Sequence, residues 1–391
     1  MVIKKIQISN FRNLKNKAFA FSPKTTVIVG PNASGKTNIL EALFLLATGK
    51  SFKAKVEEEM ISYPKEIARV KGDFQNPNTK LEVVLTRGEI TIGEDPEKTE
   101  RAPKKRLLIN GLGKRLIDFA GNFKVVLFGP QDLELVIESP SRRRNFLDTV
   151  LSQVDREYRR ASLSYEKGLR QRNRLLWQIR EDPSTHSVRG GRMRLLFWDK
   201  LLIKNGDYLG QRRGEFINFV NSSGTLPARN RYAQSVAGGN DQDFSLDYDK
   251  SAISEARLEQ YAEEEIAAAT TLVGPHRDDF SFRLIKGKRS RDLARFGSRG
   301  EPRKSRDLSR FGSRGEQRMG VLWLKLAELA YIEEKSGEKP TLLLDDIFSE
   351  LDHEHREVVM KSVGGQQTII TTADPHFVEN LNRVEKIKVG V

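Results

Sequence analysis

The stretch Val27-Ile28-Val29-Gly30-Pro31-Asn32-Ala33-Ser34-Gly35-Lys36-Thr37-Asn38-Ile39-Leu40-Glu41-Ala42-Leu43-Phe44-Leu45-Leu46 decides the fold. It opens on a short apolar run, passes through a glycine-bounded turn, and continues with apolar residues at helical spacing (Ile39, Leu43, Leu46). Strand, G-x-x-x-x-G-K-[ST] turn and helix in that order form a phosphate-binding loop. The glycines let the backbone close around an anion, so that its N–H groups point inward and the new helix adds the positive end of its dipole. Gly30, Pro31, Asn32, Ala33, Ser34, Gly35, Lys36, Thr37 and Asn38 are thus the candidate cradle. Lys36 is placed to reach the outer phosphates and Thr37 to ligate Mg²⁺. A chance glycine turn is the alternative, and it leaves the flanking strand and helix unexplained.

The chain has 391 residues, long for one core, so two subdomains are expected. It has no cysteine, which excludes disulfides and thiolate metal sites. No apolar run is long enough to span a membrane, and the alternating start Val2-Ile3-Lys4-Lys5-Ile6-Gln7-Ile8 reads as a strand and not as an export signal; a cytoplasmic address and no membrane partner are expected. The formal net charge of +14 points to a polyanionic partner, nucleic acid being the commonest, with a generically basic protein as the alternative.

Outward from the loop, residues 2–8 and 17–21 read as a hairpin, with Asn10-Phe11-Arg12-Asn13 at its turn. Residues 66–74, 80–86, 89–93 and 107–109 alternate as strands, giving an antiparallel layer beside the loop's sheet. Phe123–Phe128 is a buried-type strand followed by Gly129-Pro130-Gln131-Asp132, where Gln131 is in position to meet Mg²⁺ and the attacking water, though a plain loop residue reads the same way. From Ser141 an apolar stripe (Phe146, Leu147, Val150, Leu151, Val154, Tyr158, Ala161, Tyr165, Leu169, Leu176) in an arginine-rich segment predicts a coiled-coil-like helix. Pro183 and Gly190-Gly191 are expected to form a hairpin tip before a second helix at about 193–221. The basic faces suit phosphates, or are simply solvated.

A Glu- and Ala-rich helix is expected over 253–269. Ser290–Lys304 and Ser305–Met319 are near-identical copies that differ only at Ala294/Ser309, Pro302/Gln317 and Lys304/Met319. The second copy runs directly into a helix and is favoured as the working one. Thr341-Leu342-Leu343-Leu344-Asp345-Asp346 is a buried strand ending in two acids, expensive unless a cation or a reaction uses them. Asp345 is read as the Mg²⁺ ligand and Asp346 as the group that polarises water, on a strand expected to run beside Val27–Val29. An acidic strand end that merely caps the next helix is the alternative.

Together these features resemble the ATP-binding-cassette ATPases of the SMC and RecF type. The carrying motifs are NFRN (10–13), GPNASGKTNILEAL (30–43), ATGKSF (47–52), SPSRRRNFLD (139–148), LVGPHRDDF (272–280), FGSRGEQR (311–318) and LLLDDIFSELD (342–352). The resemblance implies an α/β fold: an ABC-type head, with a P-loop parallel sheet and an antiparallel β layer, carrying an inserted helical arm. The parts are 1–139 (head), 140–265 (arm) and 266–391 (head, with signature, aspartate strand and D-loop). It implies that Arg12 and Asn13 line an ATP and that Ser313, Gly315 and Gln317 form a signature closing on a partner protomer's ATP. Catalytic roles would fall to Asp346, Gln131 and Lys36, and Mg²⁺ would meet Thr37, Gln131 and Asp345.

The implied function is a DNA-repair and replication switch of the SOS response. It would dimerise on ATP, hydrolyse it slowly, bind single-stranded and gapped or junction DNA, and help load a RecA-type recombinase with RecO- and RecR-type mediators. A transporter-class subunit, an SMC-like clamp, a P-loop nuclease of the overcoming-lysogenisation-defect type and a dimer merely locked by ATP are the alternatives. The basic helical hairpin disfavours the first, the short arm the second, and the lack of room for a metal-carboxylate domain the third.

Overall fold

The computed structural model describes all residues except 76, 92–97, 138, 183–188, 223–241, 287–304, 350, 352–355, 357–358, 360–364, 375, 377–383 and 390–391. The first repeat copy and Glu350 and Asp352 of the expected D-loop therefore lie outside the described residues. The chain forms two compact units, Met1–Glu134 with Leu324–Val391, and Leu135–Trp323.

In the first unit, two sheets enclose the loop helix Lys36–Thr48. One sheet is antiparallel, in the order Leu14–Ala20, Val2–Phe11, Ile67–Gln75, Thr79–Thr86, Lys105–Ile109, Leu112–Lys114. In the first strand Ile6 and Ile8 alternate with exposed neighbours as expected, while a register shift between Ile3 and Lys5 interrupts the alternation before them. The other sheet is parallel, in the order Val125–Phe128, Thr341–Asp345, Thr368–Thr372, Thr25–Val29, Glu385–Lys388. Its inner strands are buried almost throughout because both faces are covered, whereas the edge strand Glu385–Lys388 is charged and largely exposed.

The aspartate strand Thr341–Asp345 is not beside Val27–Val29 as expected; Thr368–Thr372 lies between them. The buried strands are alike in composition, so only pairing order separates them. The loop helix differs too. Its apolar stripe predicts one buried face, yet the buried set runs from Lys36 through Ile39–Ala47 with no solvent side. Burial on all sides follows from its seat between two sheets.

The two sheets are tied by one side chain. Gln367, 5% exposed, accepts from Ile3 N at 3.0 Å and Thr341 Oγ1 at 3.2 Å. Its Nε2 donates to Ile3 O at 2.8 Å and Ser22 O at 2.9 Å. The antiparallel and the parallel sheet thus share a fully satisfied amide.

In the second unit, the expected single helix from Ser141 is two: Pro140–Val154, started by Ser139 with Pro140 in its first turn, and Arg156–Glu181. Asp155 makes the break, because its carboxylate accepts from Glu157 N and Tyr158 N and so caps the second helix. The returning helix is Arg189–Ser222, so Gly190-Gly191 begin the helix and do not break it. The segment expected as one helix at 253–269 is Glu255–Gln260 and Ala262–Ala268, parted at Tyr261. A three-stranded antiparallel sheet (Gln242–Asp249, Asp279–Lys286, Ser305–Asp307) and the start of the helix Arg314–Ser336 complete this unit.

A buried ionic network centres it. Arg213 donates to Tyr158 Oη (3.0 Å), Pro275 O (2.6 Å), Asp278 Oδ2 (2.9 Å) and Asp148 Oδ1 (2.8 Å). Tyr248 Oη adds a bond to Asp278 Oδ2 at 2.6 Å. His276 sits beside it, with Nε2 2.9 Å from Thr271 O and Nδ1 2.9 Å from Tyr165 Oη. A carbonyl only accepts, so Nε2 carries the proton and Nδ1 accepts from the tyrosine. Burial pushes His276 down to about 4, so the ring is neutral at neutral pH. Gly274, at φ +126°, has no room for a Cβ, which would lie 2.3 Å from Tyr165 Oη.

Replacing Gln367 by Leu strands the Ile3 and Ser22 backbone groups in a dry seam. Unfolding in urea followed by circular dichroism is expected to show a loss of about 2–4 kcal/mol.

Candidate nucleotide site

The loop closes as its glycines require. Gly35 takes φ +100°, and a Cβ there would meet Asn13 Oδ1 at 2.8 Å. A Cβ on Gly30 would fall 2.2 Å from Val389 O, so only glycine lets the loop pass the last strand. Asn13 braces the loop, its Nδ2 donating to Ala33 O at 3.2 Å and its Oδ1 accepting from Asn38 Nδ2 at 2.8 Å. Lys36 is buried, and its Nζ donates to Gly30 O at 2.7 Å and Pro31 O at 2.9 Å, across the mouth of the loop.

Arg12, at φ +53°, sits in a left-handed turn that a non-glycine residue adopts only when held. Its guanidinium grips the fully buried Glu41 with a two-bonded fork, Nε to Oε2 at 2.9 Å and Nη2 to Oε1 at 2.7 Å, and also donates to Glu59 O at 2.9 Å. Ser51 Oγ donates to the same carboxylate at 2.5 Å. The NFRN turn, the loop helix and the ATGKSF turn are thus one polar knot. Glu41 drew no attention in the sequence, although a lone acid in an otherwise apolar helix (Ile39 to Ala47) is the signal that finds it.

Opposite the loop, Asp345 Oδ1 accepts from Thr37 Oγ1 at 2.9 Å and Thr371 Oγ1 at 2.8 Å. Burial pushes the Asp345 carboxyl up, against the pull of these two hydroxyls. A Cβ on Gly129 would stand 3.3 Å from Asp345 Cβ, so the glutamine strand's exit packs directly on the acid. Asp346 is not part of the strand. It turns left-handed at φ +49°, its amide donating to Thr371 O and Thr371 Oγ1, each at 3.1 Å. Such a backbone costs about 1–3 kcal/mol and is held in place by those bonds.

Gln131 is exposed on the turn Pro130–Leu135. That turn is fixed by Asp132, which accepts from Gly129 N at 2.9 Å and faces Lys325 Nζ at 3.6 Å. Lys325 in turn pairs with Glu328 at 2.6 Å, whose carboxyl burial pushes up to about 7.

In the second unit, Ser313 caps the helix Arg314–Ser336 through a reciprocal box: Glu316 N donates to Ser313 Oγ at 3.2 Å, and Ser313 N to Glu316 Oε2 at 2.8 Å. Gln317 Nε2 donates back to Leu308 O at 3.2 Å. Ser313 and Gly315 are exposed, and a Cβ on Gly315 would meet nothing within 4 Å.

The site suits a phosphate chain with a hard cation. Ser34 Oγ is buried in the loop with no hydrogen-bond partner, an acceptor or donor position that a phosphate oxygen satisfies. Thr37 and Asp345 offer oxygen only, as Mg²⁺ prefers, with phosphate and water completing its shell. Among the described residues no cluster of three or more His, Cys, Asp or Glu forms a cation site by itself.

A phosphate loop feeding a helix between an antiparallel and a parallel sheet, with an aspartate strand facing the loop's threonine, is the nucleotide-binding head of an ABC-type ATPase. The chain belongs to the RecF/RecN/SMC N-terminal domain family, whose model matches residues 2–390. It is 35% identical to the DNA replication and repair protein RecF of Herpetosiphon aurantiacus, over 98% of this chain and 97% of that protein. RecF of Lachnoclostridium phytofermentans is 34% identical over 99% and 97%. A solved structure of the recombination mediator protein RecF–ATPrS in the RecFOR pathway superposes with a TM-score of 0.78 at 29% identity, covering 99% of this chain and 97% of that one. The RecF–ATP structure gives 0.78 at 28% identity. Among the described residues no helix is long and apolar enough to cross a membrane.

Asp345 generates a test in which stability and binding move apart. A folded carboxyl held above its unfolded value keeps its proton to higher pH, so its ionisation at neutral pH costs stability. Asp345→Asn removes that cost while keeping an oxygen for Thr37 and Thr371. Its melting temperature without nucleotide is expected to equal or exceed wild type. The stabilisation by saturating Mg²⁺-ATP, about 2–3 kcal/mol for wild type, is expected to vanish.

Proposed function

We propose that this chain is an ATP-switched DNA-repair protein: it binds Mg²⁺-ATP at the loop, dimerises around it, binds DNA and lets go after slow hydrolysis. The observation that carries this reading is the meeting of Thr37 and Asp345, far apart in sequence, at 2.9 Å beside the buried loop lysine. The RecF relatives support the repair and replication setting.

The residues divide the work. Loop amides from Gly30 to Asn38 bind the phosphates. Lys36 exchanges the Gly30 and Pro31 carbonyls for phosphate oxygens, a gain in charge complementarity. Thr37 and Asp345 hold Mg²⁺, which when bound neutralises developing charge on the outer phosphates. Asp346 orients water from its held turn, and Gln131, exposed nearby on its own turn, completes the water's surroundings. Arg12 acts through Glu41, keeping the Asn13 brace against the loop. In the dimer, the Ser313 hydroxyl and the helix start at Arg314 present donors to the partner's phosphates, with Gly315 admitting them closely. The second repeat copy, which makes this start, is the working signature.

The charge of +14 supports a DNA partner. Gapped and single-strand to double-strand junction DNA, RecO- and RecR-type mediators and a RecA-type recombinase belong to this proposal, as do the SOS-response setting and the cytoplasmic address.

DNA affinity is expected to rise with ATP and to fall by about a thousandfold between 50 and 200 mM salt, measured by fluorescence anisotropy. ATP-independent, salt-insensitive binding defeats the reading. Turnover separates a hydrolysing switch from a dimer merely locked by ATP: Lys36→Ala and Asp346→Asn are each expected to lower the ATPase rate by about tenfold or more. Equal slow rates in all three proteins remove Asp346 from catalysis.

A further inference from the structure

The arm carries a surface that the head's chemistry does not use. Between the helices Arg156–Glu181 and Arg189–Ser222 an open groove of about 500 Å³ is lined by Gln171, Arg174, Gln178, Arg194, Phe197 and Trp198. The two helices run antiparallel, and the bond from Arg172 to Asp199 at 2.6 Å sets their register. In that register Arg174 lies level with Phe197, and Trp177 level with Arg194.

Large apolar groups stand out of the seam here. Phe197 is 59% exposed and Trp177 is 51% exposed, while Phe197 meets the Trp198 ring edge-on at 4.9 Å. Phe197 and Trp198 both line the groove, and a solvated coiled-coil face has no use for a ring pair of this kind.

The charges are distributed in the same selective way. Arg172 is consumed inside by Asp199 and Glu265. Arg170 and Arg180, before and after it on the same helix, are paired with Glu166 and Glu181. Among the described residues no acid lines the groove, and Arg174 and Arg194 have no ion-pair partner. The remaining polar lining is two primary amides, Gln171 and Gln178, which offer both donors and acceptors.

We propose that this groove binds single-stranded nucleic acid, with bases stacked on Phe197 and Trp198, their edges met by Gln171 and Gln178, and the backbone held by Arg174 and Arg194. Exposed aromatics interleaved with unpaired arginines match unstacked bases on a phosphate backbone. A duplex hides its base faces and gains nothing from the rings. An acidic peptide would use the arginines and leave the rings and amides idle. The proposal rests on the DNA-binding reading and gives that reading a single-strand site on the arm, apart from the nucleotide loop.

The test uses the full chain. Wild type, Phe197→Ala and an Arg174→Ala, Arg194→Ala double variant are titrated with labelled oligo-dT about 16 nucleotides long and with a duplex of equal length. All three positions are exposed, and equal ATP-induced sedimentation shifts verify the fold. The single strand is expected to quench tryptophan emission in wild type. Each variant is expected to lose about tenfold in single-strand affinity and to keep its duplex affinity. Unchanged single-strand affinity overturns the proposal, as does an equal loss on duplex, which reduces the groove to general charge. A labelled poly-glutamate peptide bound in an Arg194-dependent way, with oligo-dT affinity unchanged, also overturns it. If wild type binds the duplex alone, only the groove fails. If it binds neither, the DNA reading itself fails.

Discussion

One carboxylate oxygen holds the nucleotide head in register. Asp345 Oδ1 accepts the hydroxyls of Thr37 and Thr371, which come from the loop helix and from the strand next to the aspartate strand. The bond to Thr37 can form only if Thr368–Thr372 pairs on one side with the aspartate strand and on the other with Thr25–Val29. The middle strand is therefore part of the site. Thr371 also receives the Asp346 amide and so fixes the left-handed turn that carries the second acid. An ionised acid buried here is unfavourable by itself, and a cation in the same place relieves it.

The basic charge is less uniform than its total implies. Arg143, Arg144, Arg172 and Arg213 all belong to the arginine-rich arm, yet each is spent inside its own unit. Arg143 forms a fork on Asp279, Arg144 bonds Asp278 O, and Arg172 and Arg213 are buried in ion-pair networks. Such networks fix geometry more than they add stability, because desolvation offsets much of the attraction. They locate the GPHRDD segment against the arm helices, with Pro275 O and Asp278 as its anchor points. The remaining lysines and arginines, Arg174 and Arg194 among them, are those left for the proposed polyanion binding.

Buried acids organise both units in a similar way. Glu41 gathers Arg12 and Ser51, while Asp278 gathers Arg213, Tyr248 and the Ser251 amide. In each case the acid's partners come from separate segments of the chain. A buried carboxylate tolerates no unpaired alternative, so these knots select one arrangement of loops where apolar packing alone accepts several.

The sequence by itself determined the phosphate loop and the paired aspartates. Each is a local pattern in which residue type and spacing carry the chemistry: glycines at Gly30 and Gly35, and the acids after the apolar run 341–344. Hairpin strands were legible for the same reason, since alternation is a property of neighbours. Tertiary structure alone decided the order of the parallel strands, since the buried ones resemble each other until they pair. It also decided that the loop helix is buried on every side and that Asp155 divides the arm helix. It settled, too, which arginines are spent in ion pairs and which face solvent. Those outcomes depend on contacts between residues far apart in the chain, and an arginine's partner is not written in its neighbours.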